Sequence, residues 1–439
     1  MNKIQIGLFC ALVSTGFAQV GGYLGPGVLS NGAGSIGNRG GQQVDLRYYV
    51  DASAVYDTGL QPYAVNAQGD LVIINGLYGT QLDGGIYGTH SWKTAQLGID
   101  YSGNFYDYAN ASEYDGSTQN MLIGFTYQKS RHLSFDVRGV AGLSSLSFAS
   151  PTSSEAGSSI VAQPTSSIFD NRYYYFQPTV DVNFIATQRT TITVGGDAFW
   201  VNREGVGLAS ENGWTARGTI QHRLSRSKTI GVTYSRMHMD FSPNFGYSDI
   251  NVFEGIFGTS LGRRWTFNLR AGAFQSDVSG LQSVILNPVL AALLGQSTSV
   301  TTFYHQDVYP SGQVNLTAHL KKSSFMLTGG EQVSPGNGVY LTSRLESAML
   351  SYSYTGIKKW SFGIIGGYSR MSAIGQAIQD YATWNGGANA TYGLTHSLHA
   401  VARFDARDQQ INVVGYKQQG YRTSIGIAWS PGDIPLSLW

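Results

Sequence analysis

Residues 44–56 read Val-Asp-Leu-Arg-Tyr-Tyr-Val-Asp-Ala-Ser-Ala-Val-Tyr, and their alternation decides the fold. One face carries Val44, Leu46, Tyr48, Val50, Ala52, Ala54 and Tyr56; the other carries Asp45, Arg47, Tyr49, Asp51 and Ser53. A period of two over this length is a strand, and it exceeds the ~5–6 residues usual in soluble sheets. The pattern recurs to the end of the chain. Leu97, Ile99, Tyr101 and Phe105 oppose Gln96, Asp100, Ser102 and Asn104, and Trp265, Phe267, Leu269 and Ala271 oppose Thr266, Asn268 and Arg270. Leu398, Ala400, Ala402, Phe404 and Ala406 oppose His399, Arg403, Asp405 and Arg407. The last such segment sets Tyr421, Thr423, Ile425, Ile427 and Trp429 against Arg422, Ser424, Gly426 and Ala428.

The connections alternate as well. Eight are short and carry a basic residue or histidine: Trp92-Lys93-Thr94, Lys129-Ser130-Arg131, Thr187-Gln188-Arg189, Arg226-Ser227-Lys228, Gly262-Arg263-Arg264, Lys321-Lys322-Ser323, Lys358-Lys359 and Thr395-His396-Ser397. Between successive short turns lies one longer connection, as at 59–81, 148–170 and 278–304. Eight turns bound seven internal hairpins, with one hairpin before the first turn and one after the last, which gives 18 strands. The stretches 82–91 and 306–319 alternate least clearly, and 16 strands is the alternative count.

Composition fits a sheet with one face in lipid and one in water. Only 13% of the 439 residues are charged, about half the ~25% of a soluble domain. The 27 Tyr, 20 Phe and 8 Trp exclude a disordered chain. The 28 Lys+Arg nearly cancel 27 Asp+Glu, so no field exists to draw nucleic acid. A strand in lipid cannot leave edge N–H and C=O groups unpaired, so the sheet must close. The fold expected is all-β: a transmembrane antiparallel up-and-down barrel.

The N-terminus reads as an export signal over 1–18, with Lys3, an apolar run from Ile4 to Val13, and Gly16-Phe17-Ala18 as the small-x-small cleavage site. The run is too short to span a bilayer as a helix. Lipidation at Cys10 would require a small residue before it, and Phe9 stands there. Cleavage after Ala18 removes the one cysteine, leaving no disulfide or thiolate metal site. Residues 19–42 follow as a Gly-rich periplasmic leader, 43–429 as the barrel, and 430–439 as a C-terminal tail.

With this architecture the sequence resembles the bacterial outer-membrane β-barrel, or porin-like, superfamily; the resemblance covers about residues 43–429. It implies delivery to the outer membrane, contact with outer-membrane lipid, and recognition of a terminal aromatic strand by the barrel assembly machinery. Tyr421 to Trp429 has that form, while the chain continues to Trp439, so either Trp429 or Trp439 would be the aromatic recognised. Barrels of this kind often form homotrimers. Trp92, Trp265 and Trp360, all beside short turns, are assigned to one interfacial aromatic belt, with Tyr56, Phe105 and Trp200 toward the other.

The inward register collects Asp45, Arg47, Asp51, Asp100, Asp136, Arg138, Asp181, Arg217, Arg223, Arg270, Arg403, Asp405, Arg407 and Arg422. These either present a charged lining that selects solutes or pair with one another and stiffen the wall. Asp136 and Arg138, and Arg403, Asp405 and Arg407, have the spacing for pairing along one strand. The excess of Arg over Asp in the C-terminal strands favours anions. In the connection 278–304, Asn287 can cap a helix, Pro288 fits its first turn, Leu290, Leu293 and Leu294 make it apolar, and Gly295 fits the stop. Such a helix can fold into the mouth and constrict it, or pack against neighbouring loops or lipid headgroups.

Two enzyme-like strings fail their context. Gly258-Thr259-Ser260-Leu261-Gly262 matches G-x-S-x-G but lies at a strand end before a short turn, where the nucleophile elbow needs a helix. Gly32-Ala33-Gly34-Ser35-Ile36-Gly37 matches G-x-G-x-x-G with no strand before it. No His, Cys or Glu spacing argues for a metal, and no cofactor is expected. The expected function is passive diffusion of small hydrophilic solutes through a polar lumen, without enzymatic activity. The alternatives are a surface adhesin or structural barrel closed by loops 59–81 and 148–170, and a membrane-embedded hydrolase using His238, Asp240 and Ser242 or His305 and Asp307.

Overall fold

The computed structural model describes residues 43–58, 63–65, 71–73, 76–110, 112–144, 172–204, 208–243, 245–262, 264–285, 298–336, 338, 340–376, 380–411 and 416–430. Its strands in chain order are β1 (Gln43–Asp57), β2 (Tyr63–Val65), β3 (Leu71–Ile73), β4 (Leu77–Ser91), β5 (Ala95–Tyr108), β6 (Gly116–Gln128) and β7 (Leu133–Ser144). They continue as β8 (Tyr173–Ile185), β9 (Thr190–Arg203), β10 (Ser210–Arg223), β11 (Lys228–Ser242), β12 (Gly246–Leu261), β13 (Trp265–Ile285) and β14 (Thr298–His319). The last six are β15 (Ser323–Ser334), β16 (Ser343–Tyr354), β17 (Trp360–Ala373), β18 (Tyr381–Gly393), β19 (Leu398–Ile411) and β20 (Tyr416–Trp429). Strands β2 and β3 form a small ladder of their own inside the first connection.

The remaining strands make one 18-stranded antiparallel sheet in which each pairs with its sequence neighbour. The ring closes where β1 pairs with β20, from Val50 opposite Trp429 to Asp57 opposite Arg422. On its other edge β1 pairs with β4, from Gln43 opposite Ser91 to Asp57 opposite Leu77. The count is therefore 18 rather than 16, and the weakly alternating stretches 82–91 and 306–319 are strand in β4 and β14.

Alternation sorts each strand into two faces. On β1, Val50, Ala52, Ala54 and Tyr56 are exposed while Asp51, Ser53, Val55 and Asp57 are buried. The exposed face continues around the ring through Val194, Phe253, Ile364, Ile425 and Ile427. An apolar band of this extent on a sheet without edges is the exterior of a lipid-embedded barrel. The chain is thus built as a multi-pass membrane barrel. Trp92, Trp265 and Trp360 are exposed beside the short turns, and Tyr56, Phe105 and Trp200 are exposed toward the opposite rim.

One expectation is corrected. The connections opposite the short turns are not uniformly long: residues 243–245 join β11 to β12, and 204–209 join β9 to β10. Gly246, at φ 141, lets the chain turn into β12 directly after the first of these, and its absent Cβ would lie 2.0 Å from the Ser279 carbonyl. Length instead gathers on β13 and β14, of 21 and 22 residues, which pair along their whole run and outreach their neighbours.

Candidate functional site

The lumen carries its charge in two networks on separate parts of the wall. On β19, β20, β1 and β4, Asp51 stands opposite Asp83 in register. Like charges at this spacing need donors, and they have them. Ser53 Oγ donates to Asp51 at 2.8 Å, Gln81 Nε2 donates to both oxygens of Asp83 at 2.8 and 2.7 Å, and Asn104 donates to Asp83 as well. Arg422 donates to Gln81 Oε1, and Arg403 Nε lies 2.6 Å from Asp405 Oδ2. Arg407 is buried one step further along the same inward row.

The second network spans β7 to β10. Asp181 receives Arg138 Nη2 at 2.9 Å and Arg217 Nη2 at 2.8 Å. Arg217 Nη1 also reaches Asp197 at 3.3 Å, and Gln177 Nε2 donates to Asp197 at 3.1 Å. The pairing expected between Asp136 and Arg138 along one strand is not made. Asp136 instead accepts from Thr126 Oγ1, its register partner on β6, at 2.5 Å and from Asn183 Nδ2 on β8 at 3.3 Å.

Of the other residues in the inward register, Asp100 is half-buried. Arg223 donates from Nη2 to the Gln188 carbonyl at 3.0 Å. Arg270 faces the lumen exposed and makes no ion pair among the described residues. Asp45 and Arg47 are on β1, and their side chains lie outside the described residues. Alternation missed Asp57, Asp83 and Asp197, which also face inward and are buried. Asp83 sits in the Gly-interrupted segment Leu82–Ser91, where no clean period marks its face.

Toward the rim opposite the short turns the lumen becomes apolar. Phe199, Met237, Met239, Ile250, Phe274 and Phe303 project inward from β9 to β14 and are nearly fully buried. What buries them includes Leu341, from the connection 335–342, and Ile374, from the connection 374–380. The amide of Ala209 donates to the Gly338 carbonyl at 2.9 Å, so the connection after β15 meets the one after β9. The Ile374 amide donates to Thr342 O at 2.8 Å, and the Leu341 amide donates to Gln376 Oε1 at 2.8 Å, tying the two inward connections together. At the base, Tyr340 packs with Leu345, Met371 and Tyr381. Burial there, with the Asp380 carboxylate nearby, pushes the Tyr340 phenol up to about 12. The helix expected over Asn287, Pro288, Leu290, Leu293 and Leu294 lies outside the described residues, as do Trp439, residues 1–42 and the loop 148–170.

On the rim side of Phe199, Met237 and Met239 is a buried ion pair, Arg203 Nη2 to Glu211 Oε1 at 2.9 Å, with Arg203 Nη1 donating to Ala209 O at 2.8 Å. Gly338, at φ 92, rests on the pair, and a Cβ there would lie 2.8 Å from Arg203 Cδ.

The two histidine clusters weighed for hydrolysis are on different faces. His238 faces outward, its Nδ1 3.0 Å from Asp249 Oδ1 and its Nε2 3.3 Å from Asp240 Oδ2, so both ring nitrogens are engaged by carboxylates. His305 faces the lumen, with Nε2 3.1 Å from Tyr309 Oη and 3.9 Å from Asp307 Oδ2. Ser260 is the penultimate residue of β12 ahead of the Gly262 turn, a strand–turn–strand context. Among the described residues no group of His, Cys, Asp and Glu is arranged to hold a metal ion.

No protein-family model matches this sequence, and neither does any curated protein. Solved structures similar in fold include OpdQ of Pseudomonas aeruginosa, at 8% identity and TM-score 0.40, covering 88% of this chain and 97% of that one. A BenF-like porin from Pseudomonas fluorescens Pf-5 aligns at 10% identity and TM-score 0.41, over 89% of this chain and 100% of that one. OccK2 (OpdF) of Pseudomonas aeruginosa, solved in complex with glucuronate, aligns at 9% identity and TM-score 0.40, over 88% of this chain and 98% of that one.

Proposed function

We propose that this barrel is a channel through which small hydrophilic solutes cross the outer membrane by passive diffusion. The observation that carries the reading is the lumen: 18 strands enclose a space wide enough for an aqueous path, and below the apolar layer at one rim its wall is lined with hydrogen-bonded charge. A barrel serving only as a scaffold has no need to bury Asp51, Asp83, Asp181 and Asp197 inside.

In this reading the constriction is set by the connections 335–342 and 374–380, which bring Leu341 and Ile374 against the inner wall. Solutes pass the apolar layer at the mouth and then the two charged networks. Most of the lining cations are neutralised by neighbours, so charge selectivity is weak. Arg270, with no ion pair among the described residues, tilts it toward anions. Asp45, Arg47, Asp100, Asp136 and Arg223 complete the lining, and Trp429, edge-on to Tyr48 at 5.5 Å where the ring closes, serves as the assembly signal.

Swelling of liposomes that contain the refolded chain tests the reading. Neutral sugars should enter at rates that fall with size, and replacing 336–341 by a short Gly-Ser linker should raise the size limit. A folded barrel that admits no sugar with or without that replacement would favour the surface-binding alternative.

A further inference from the structure

The cations of this chain are distributed unevenly between its two rims. Each of the first seven short turns carries Lys or Arg, the eighth carries His396, and none of the eight contains Asp or Glu. Apart from Lys3 and Lys417, every lysine of the chain stands in or directly beside one of these turns. All the described turn cations are exposed, and none makes an ion pair among the described residues. Carboxylates stand at the opposite rim instead, with Asp107, Asp115, Glu204, Asp240 and Asp380 at or beyond the strand ends.

Unpaired cations on one rim repel one another, so their grouping calls for an anion outside the chain. Their placement says on which side of the wall it lies. Lys359 Nζ sits 5.9 Å from the ring centroid of Tyr392, which packs on Trp360 at 4.9 Å on the outer, lipid-facing surface. Arg264 directly precedes the exposed Trp265, and Lys93 follows the exposed Trp92. The cations therefore border the aromatic belt at headgroup depth, where long basic side chains lay their stems on apolar surface and hold their charge at the interface.

We propose that the short-turn rim is a binding collar for anionic phospholipid headgroups of the adjoining leaflet. The phosphate of an acidic lipid such as phosphatidylglycerol meets the ammonium and guanidinium groups, and the neighbouring tryptophans lie against its upper chain. Lys321 with Lys322 and Lys358 with Lys359 form the densest part, on the turns joining β14 to β15 and β16 to β17. The collar holds the barrel at a fixed depth and orientation. It requires the barrel to sit in the membrane, but it does not require an open pore.

The test is native mass spectrometry of the refolded chain released from non-ionic detergent, with phosphatidylglycerol or phosphatidylethanolamine added. The wild-type barrel should retain phosphatidylglycerol in preference. The variant Lys321→Gln/Lys322→Gln/Lys358→Gln/Lys359→Gln should bind it about tenfold less or worse, given what each juxtamembrane cation contributes. Arg236→Gln, on the outer face toward the opposite rim, should leave retention unchanged. Heat-modifiable gel mobility reports folding, and the two double variants replace the quadruple one if it fails to fold. Equal retention of both lipids by the wild type, or undiminished retention by the variants, would overturn the collar. So would displacement of the lipid by millimolar inorganic phosphate, which would make the rim a site for free anions, or a change in ion selectivity without loss of lipid. Failure of the channel reading looks different: an electrically silent barrel that still retains the lipid.

Discussion

The carbonyl of Gly338 accepts a hydrogen bond from the amide of Ala209 at 2.9 Å, joining the connection after β15 to the connection after β9. Six strands of an 18-strand ring separate these two points, so the contact crosses part of the lumen rather than following the wall. In the channel reading, this contact holds the connection that sets the constriction.

Gly338→Val places a β-branched side chain at φ 92 and sets its Cβ 2.8 Å from Arg203 Cδ. The connection 335–342 should lift from the wall, and single-channel conductance should rise while the barrel keeps its heat-modifiable mobility. Leu341→Ser removes the apolar anchor of the same connection, a loss of about 1.5–3 kcal/mol of burial, and should act in the same direction. Unchanged conductance in both variants would mean that these connections do not set the constriction.

The pair Arg203–Glu211 is almost fully buried, with side-chain exposures of 4% and 2%. Removing one partner leaves a charge without compensation. Arg203→Met alone should destabilise the barrel by about 3–5 kcal/mol in reversible urea unfolding from lipid vesicles, and Arg203→Met/Glu211→Leu should recover most of that loss.

Asp181 holds two arginines, Arg138 and Arg217. Asp181→Asn should leave the lumen one charge more positive and move the reversal potential in a salt gradient toward anion selectivity. A shift toward cations would contradict the proposed position of this network along the permeation path.

The outward ion pair between Arg370 and Asp380 predicts an acid-side dependence. Burial raises the Asp380 carboxyl, but the Arg370 hydrogen bond, helped by Ser372 and the charges of Arg370 and Arg344, outweighs it and holds the group below its ordinary value of 3.8. A depressed carboxylate stabilises the folded form above its unfolded pKa, and that contribution disappears as pH falls through the folded one. Below about pH 4 the connection 374–380 should exchange amide hydrogens faster, and Arg370→Gln should abolish the difference between pH 6 and pH 3. Both partners are partly exposed, so the effect should be below about 1 kcal/mol.

Much of the architecture is legible in the sequence because two facts are local. Alternation in Val44–Tyr56 and Tyr421–Trp429 assigns faces without any knowledge of neighbours, and the basic turns count the strands. What depends on register is not local. Arg138 chooses Asp181 over Asp136 because β8 brings Asp181 within reach, a choice invisible along β7. The burial of Leu341 against the inner wall is equally hidden. Its connection is eight residues long, has no helical pattern, and owes its position to Ile250, Phe274 and Phe303 on strands far away in sequence. The helix signal at Asn287–Gly295 drew attention to a longer connection for the opposite reason, since capping and apolar runs can be read from a few adjacent residues. His238 and Asp240 read as a rim cluster, and only the strand's parity shows that they face outward.

The most direct test of the central claim is the ionic conductance of the refolded chain in a planar bilayer. The channel reading predicts steady nanosiemens-scale steps, a reversal potential tilted slightly toward anions, and larger steps for Gly338→Val. A barrel that inserts, keeps its folded mobility on a gel and passes no current, in the wild type and in that variant alike, would contradict it.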